Sequence, residues 1–160
     1  LCAKFRNGHF EGVIDVMDRL LNLVSAKFVF LGEKDYQQLY LIKKYIKSKY
    51  KSKIIGCPTI RDNNKIALSS RNYLLNKKDY LKASLIACHL LNLKKKYKIN
   101  KNNVSYVLKQ ISKSLEKIHK IKIDYLEFRN LNDLKLSNFK KKHRLFIAYH
   151  IKKIRLIDNF

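Results

Sequence analysis

Residues 28–38 read Phe28-Val29-Phe30-Leu31-Gly32-Glu33-Lys34-Asp35-Tyr36-Gln37-Gln38. Four consecutive apolar residues are a strand-length run of the kind buried on both faces, and Gly32 stops it. A charged turn then leads into apolar positions at Leu39, Leu41, Ile42, Tyr45 and Ile46, which is helical spacing over 36–49. Ile54-Ile55-Gly56 gives a second strand. Upstream, Val13, Val16, Met17, Leu20, Leu21 and Val24 alternate with Asp15, Asp18 and Arg19 at a helical period over 11–25. Helix, strand, helix, strand with short links predicts a parallel α/β sheet, in which ligands sit beyond the carboxyl ends of the strands.

The character changes near Ser70. Two long helical patterns, 77–97 and 103–119, flank a polar turn at 98–102. Alternating runs follow at 123–129, 145–150 and 154–157, with a lysine-rich stretch at 132–143 between the first two and hairpin spacing between the last two. The expectation is two domains, an α/β one over 1–69 and a small α+β one over 70–160 with an antiparallel sheet. All four glycines and the only proline, Pro58, lie in the first 58 residues, so special backbone geometry is concentrated there.

The net charge of +24 invites a nucleic-acid reading. Of the 36 basic residues 29 are Lys and seven are Arg, whereas planar readers of phosphates and bases favour Arg. The leading reading is therefore a lysine-coated surface with no specific nucleic-acid partner. A basic RNA-associated protein is the alternative; it requires clustered Arg or exposed stacking aromatics, and tyrosines such as Tyr45 and Tyr125 fall instead at apolar-period positions. Cys2, Cys57 and Cys88 have neither zinc-ligand nor disulfide-framework spacing, which suits a reducing cytoplasm. No apolar run is long enough to cross a bilayer and no signal-peptide pattern is present.

Three segments carry candidate chemistry. In the first, Gly32 permits close approach to the backbone, Lys34 supplies an ammonium, Asp35 a carboxylate, and Gln38 an amide from the start of a helix whose amides favour an anion. The plainer reading is a turn with Asp35 as helix cap. In the second, Leu68-Ser69-Ser70-Arg71 presents two hydroxyls, adjacent amides and a guanidinium, which suits a triphosphate or, more plainly, a serine cap with Arg71 exposed. The third is Lys4-Phe5-Arg6-Asn7-Gly8-His9-Phe10-Glu11-Gly12-Val13, where Arg6 suits a carboxylate and His9 a hydrogen-bonded substrate. His89, His119, His143 and His150 have no convergent spacing for a metal or a triad.

Taken in order, these stretches, with Gly56 to Arg61, Ala67 to Asn72, Asp124-Tyr125-Leu126-Glu127 and Arg155-Leu156-Ile157-Asp158-Asn159, resemble the pantoate–beta-alanine ligase (pantothenate synthetase) family along essentially the whole chain. The resemblance implies a partial Rossmann-like, HUP-type nucleotidyltransferase sheet followed by the small α+β domain. It implies a cytosolic, commonly dimeric enzyme that uses ATP and Mg²⁺ to convert pantoate to an adenylate, which the amine of beta-alanine then attacks to give pantothenate and AMP. Gly32, Glu33, Lys34 and Asp35 would form the first ATP loop, Ile60 the adenine contact, and Leu68, Ser69, Ser70 and Arg71 the second loop. Gln38, Arg6 and His9 would hold pantoate. Lys34, His9, Ser69 and Arg71 would serve the reacting phosphate, with no set of protein metal ligands. The family's Met-Gly-x-Leu-His-x-Gly-His stretch and first strand have no counterpart here, so the expectation is a carboxy-terminal portion, truncated at its amino end, whose own activity depends on what precedes it or has decayed. Asn7 stands where a proline is usual, and the loop Asp62-Asn63-Asn64-Lys65-Ile66 lacks its usual glycine.

Overall fold

A computed structural model describes residues 1, 8–96, 104–137, 139 and 142–160, with residues 94–96 described by their backbone. The chain forms two compact units, Leu1–Thr59 and Ile60–Phe160. The sequence reading drew this division ten residues later, at 69/70. Residues 60–69 associate with the second unit because Ile66 enters its core and Arg61 bonds to Asp158.

In the first unit, helix α1 (His9–Leu23) starts after Gly8, whose φ of 71° is left-handed and suits glycine. Strand β1 (Phe28–Gly32) runs through a 3-10 turn at Glu33–Asp35 into α2 (Tyr36–Lys49), and β2 (Lys53–Cys57) follows. The two strands pair in parallel from Phe28 against Lys53 to Gly32 against Cys57, so both end at the same edge. Leu21, Ile42 and Ile46 form the core, with Val29, Leu31 and Ile54 packed on it. One expectation is corrected here. Among the described residues β1 alternates; Phe28 and Phe30 are 45% and 63% exposed, and both helices pack on the face that carries Val29 and Leu31.

A polar latch joins the helices. Asp18 on α1 accepts bonds from Lys49 Nζ at 2.7 Å, Tyr50 Oη at 2.5 Å and Tyr45 Oη at 2.7 Å. Lys49 first, then Tyr50 and Tyr45, hold its carboxyl well below the usual range.

The second unit contains a hairpin from Ile60 to Leu68, a 3-10 turn at Ser70–Leu74, helices α3 (Lys77–Lys96) and α4 (Val104–His119), and strands β3 (Lys122–Asn130), β4 (His143–Ile151) and β5 (Ile154–Asn159). The strands form an antiparallel meander in the order β3-β4-β5, and the β4–β5 turn is Lys152-Lys153, as the spacing predicted. Its core includes Ile86, Leu90, Leu145, Ile147 and Ile151, each almost wholly buried. Asn76 caps α3 through its side chain, and the buried Asp79 one turn in takes Lys152 Nζ at 2.6 Å, which ties the hairpin turn to the helix. The predicted polar turn at 98–102 lies outside the described residues. No described helix is long and apolar enough to cross a membrane.

Candidate functional site

The first loop is shaped by what surrounds its glycine. Gly32 has φ −67° and ψ 133°, which any residue adopts, so backbone strain does not call for glycine there. A Cβ at Gly32 would meet nothing within 4 Å. The space beside Gly32, at the carboxyl end of β1, is open. Glu33 turns back instead, and its Oε1 lies 3.1 Å from where a Cβ on Gly56 would stand. Asp35 occupies the cap position of α2 yet makes no capping bond with its exposed carboxylate, so the plainer cap reading fails for its side chain. Lys34 is half-buried on the same turn.

Gln37 and Gln38 separate in role. Gln37 buries its Oε1 with no hydrogen-bond partner among the described residues. Gln38 lines an open cleft of about 490 Å³ together with Gly8, His9, Gly12, Val13, Val16 and Met17. The structure thus brings His9 and Gln38, assigned to one small acid from sequence, to a single cleft. The cap position of α1 is Gly8, which has no side chain to bond the first amides, and this helix end borders the cleft, where amides favour an anion. A Cβ on Gly12 would also meet nothing within 4 Å. Arg6 lies outside the described residues.

Sequence reasoning missed the cleft wall. Val13, Val16 and Met17 belong to a helical apolar stripe, which reads as core, and periodicity cannot distinguish a face that meets other helices from one that meets a ligand. Val16 is 55% exposed. The available signal was the pair of glycines, Gly8 and Gly12, on the same helix start.

In the second unit, Asp62 N bonds to Ile66 O and Leu68 N to Ile60 O, which closes the hairpin. Asp62 also accepts from Ile66 N at 2.9 Å and from the Tyr80 hydroxyl, whose acidity is lowered chiefly by that bond. Ile60 and Leu68 are exposed at its base, 70% and 54%. Ser69 caps the 3-10 turn by accepting from Arg71 N at 3.2 Å, the plainer of the two sequence readings. A hydroxyl that accepts in this way keeps its own proton to donate. Ser70 and Arg71 are exposed, and Arg71 Nη1 donates to Arg155 O at 2.8 Å.

The two distal stretches that carry the resemblance meet each other. Arg155 Nε donates to Asp124 Oδ2 at 2.8 Å, with His150 Nε2 3.2 Å from the other carboxylate oxygen. Among the described residues no group of three or more His, Cys, Asp or Glu could hold a metal ion.

A parallel strand pair with its helices, followed by an antiparallel meander with its own, defines the class as a mixed α/β chain. The sequence profile of the pantoate–beta-alanine ligase family matches residues 1–160. Pantothenate synthetase of Flavobacterium psychrophilum is 36% identical over 98% of this chain and 56% of its own length. That of Leptospira interrogans is 38% identical over 99% of this chain and 56% of its own. The crystal structure of pantothenate synthetase from Thermus thermophilus superposes with a TM-score of 0.81 at 28% identity, covering 99% of this chain and 58% of that one. The Francisella tularensis pantoate–beta-alanine ligase, solved in complex with beta-gamma ATP and beta-alanine, gives 0.77 at 35% identity, covering 100% and 53%. The chain belongs to the pantoate–beta-alanine ligase family, and it spans a little over half the length of these relatives.

Proposed function

We propose that the chain supplies the pantoate cleft and two nucleotide loops of an ATP-dependent ligase that joins pantoate to beta-alanine. The observation that carries this reading is the convergence of His9 and Gln38 on one cleft whose other wall is apolar. Pantoate has the matching halves: a carboxylate and hydroxyls for the α1 amides, His9 and Gln38, and a gem-dimethyl group for Val13, Val16 and Met17. The family resemblance would add Arg6 as a carboxylate partner.

A carboxylate is a poor electrophile, so transfer of AMP from ATP to pantoate, with loss of pyrophosphate, creates a good leaving group. The amine of beta-alanine then displaces AMP. The protein's part is positioning and charge neutralisation. Lys34, with Gly32, Glu33 and Asp35, attends the nucleotide from the first loop. Ser69, Ser70 and Arg71 attend its phosphates, with Ile60 and Leu68 beside the base. Mg²⁺ bound with the triphosphate would supply neutralisation of phosphate charge, a mode that would need only one or two protein carboxylates. The reaction belongs in the cytoplasm, in an enzyme that pairs with a second copy.

Pantoate-dependent exchange of pyrophosphate into ATP tests this reading, run on the chain alone and joined to the family's remaining length. Exchange that requires pantoate in the joined form supports the ligase. Its absence in both forms, with salt-sensitive RNA binding in its place, would favour the basic RNA-associated alternative.

A further inference from the structure

The Arg155–Asn159 stretch has no ligand role in the reading above, yet it grips the loop that does. Phe160 exchanges both backbone bonds with Leu145, so alternation turns the carbonyls of Asn159 and Arg155 to the outer edge of β5. Both are taken by arginines from the 60–71 segment. Arg61 Nη2 reaches Asn159 O at 3.1 Å, and Arg71 Nη1 reaches Arg155 O.

Arg61 is the firmer anchor. Its two terminal nitrogens engage the two oxygens of Asp158 at 2.6 and 2.8 Å, Nη1 also reaches Lys65 O at 3.0 Å, and the guanidinium lies 4.6 Å from the Phe160 ring centroid. The side chains of this pair are only 17% and 9% exposed. Arg61 also bridges to Ala67 across the hairpin, so fixing Arg61 fixes the strand that runs directly into Leu68 and Ser69. At the far end, Asp124 holds the Arg155 side chain while the Arg155 carbonyl holds Arg71.

We propose that Arg61, acting through Asp158, is a positioning residue for nucleotide binding, setting where Leu68–Arg71 stands while Asp124 and Arg155 steady its other end. The inference rests on the reading that Arg71 meets ATP phosphate. A lysine at position 61 keeps the charge but, as a point donor, cannot reproduce the fork on Asp158 together with the two carbonyl bonds. The loop would then keep one anchor of two, and small displacements of a binding group are costly.

The test is separate calorimetric titration of ATP and of pantoate onto wild-type protein, Arg61→Lys, Asp158→Asn and Arg71→Ala, each joined to the family's remaining length, with each fold checked by circular dichroism. The expected result is an ATP affinity about tenfold weaker or worse in Arg61→Lys and Asp158→Asn, with pantoate affinity unchanged. If Arg71→Ala weakens ATP binding and Arg61→Lys and Asp158→Asn do not, the positioning role is wrong and the site reading stands. If Arg61→Lys and Asp158→Asn weaken both ligands alike, Arg61 is a general stabiliser and the inference is overturned. Failure of wild-type protein to bind ATP, or indifference of Arg71→Ala, removes the site reading and the inference together.

Discussion

Lys65 sits at φ 69°, where an L side chain costs about 1–2 kcal/mol, in a hairpin loop with no glycine. The hairpin imposes this conformation, since Asp62 must reach both Lys65 N and Ile66 N. Lys65→Gly relieves the strain and returns about 0.5–1 kcal/mol as unfolded-chain entropy. The expected net effect is a gain of at most about 1 kcal/mol in urea unfolding, and a clear loss would show that the lysine side chain has a role of its own. Asp79 gives a prediction in pH. The bond from Lys152 holds its carboxyl below the usual range despite burial. Its stabilising effect is therefore full above the ordinary carboxylate value of about 4 and is lost as pH falls through the lowered folded value. Acid titration of the urea midpoint should fall more steeply below about pH 4 for wild type than for Asp79→Asn. Parallel curves would mean that the pair does not couple to folding. Residue types offered His9 and Gln38 as candidates beside plainer readings, and the family resemblance assigned both to one acid. The open space at Gly32, the orphaned oxygen of Gln37 and the fork of Arg61 depend on three-dimensional neighbours that no local spacing encodes.

At the scale of elements, the first loop is supported from the neighbouring strand. Gly56 lets Glu33 and Leu39 lie against β2, each 3.1 Å from a would-be Cβ. Gly56→Ala should cost about 1–3 kcal/mol of stability by overpacking. Pairing it with Glu33→Ala should recover part of that loss, because two of the three closest contacts are with Glu33; a strictly additive double variant would show that the contact does not matter. The elements themselves were largely legible. Helical period placed α2 at 36–49 and α3 and α4 to within a residue of their observed bounds, and strand alternation found β3, β4 and β5 with their hairpin. What the pattern could not tell was coverage. Phe28-Val29-Phe30-Leu31 reads as doubly buried, yet only alternate residues pack, because a run of four apolar residues looks the same whether one face or two are covered.

The whole molecule is unequal in its halves. The core cluster of the first unit is built on Leu21, Ile42 and Ile46, whereas that of the second joins two helices and three strands around Leu145, Ile147 and Ile151. Amide exchange should therefore be slowest in β3–β5 and distinctly faster in β1 and β2; equal protection in both sheets would point to a single cooperative unit. The sequence reading divides the chain at 69/70, where composition changes, whereas the compact units divide at 59/60, and Arg61 on Asp158 is a contact between distant parts of the sequence that composition does not register. The charge of +24 is likewise a total that is legible in sequence, whereas a binding surface is not. The most direct test of the proposed ligase site is pantoate-dependent ATP–pyrophosphate exchange in Lys34→Ala and Gln38→Ala, each joined to the family's remaining length. Lys34→Ala should lower the maximal rate by about 10²-fold or more through lost phosphate neutralisation, and Gln38→Ala should chiefly raise the KM for pantoate. Wild-type kinetics in both variants would contradict the assignment of the loop and the cleft alike.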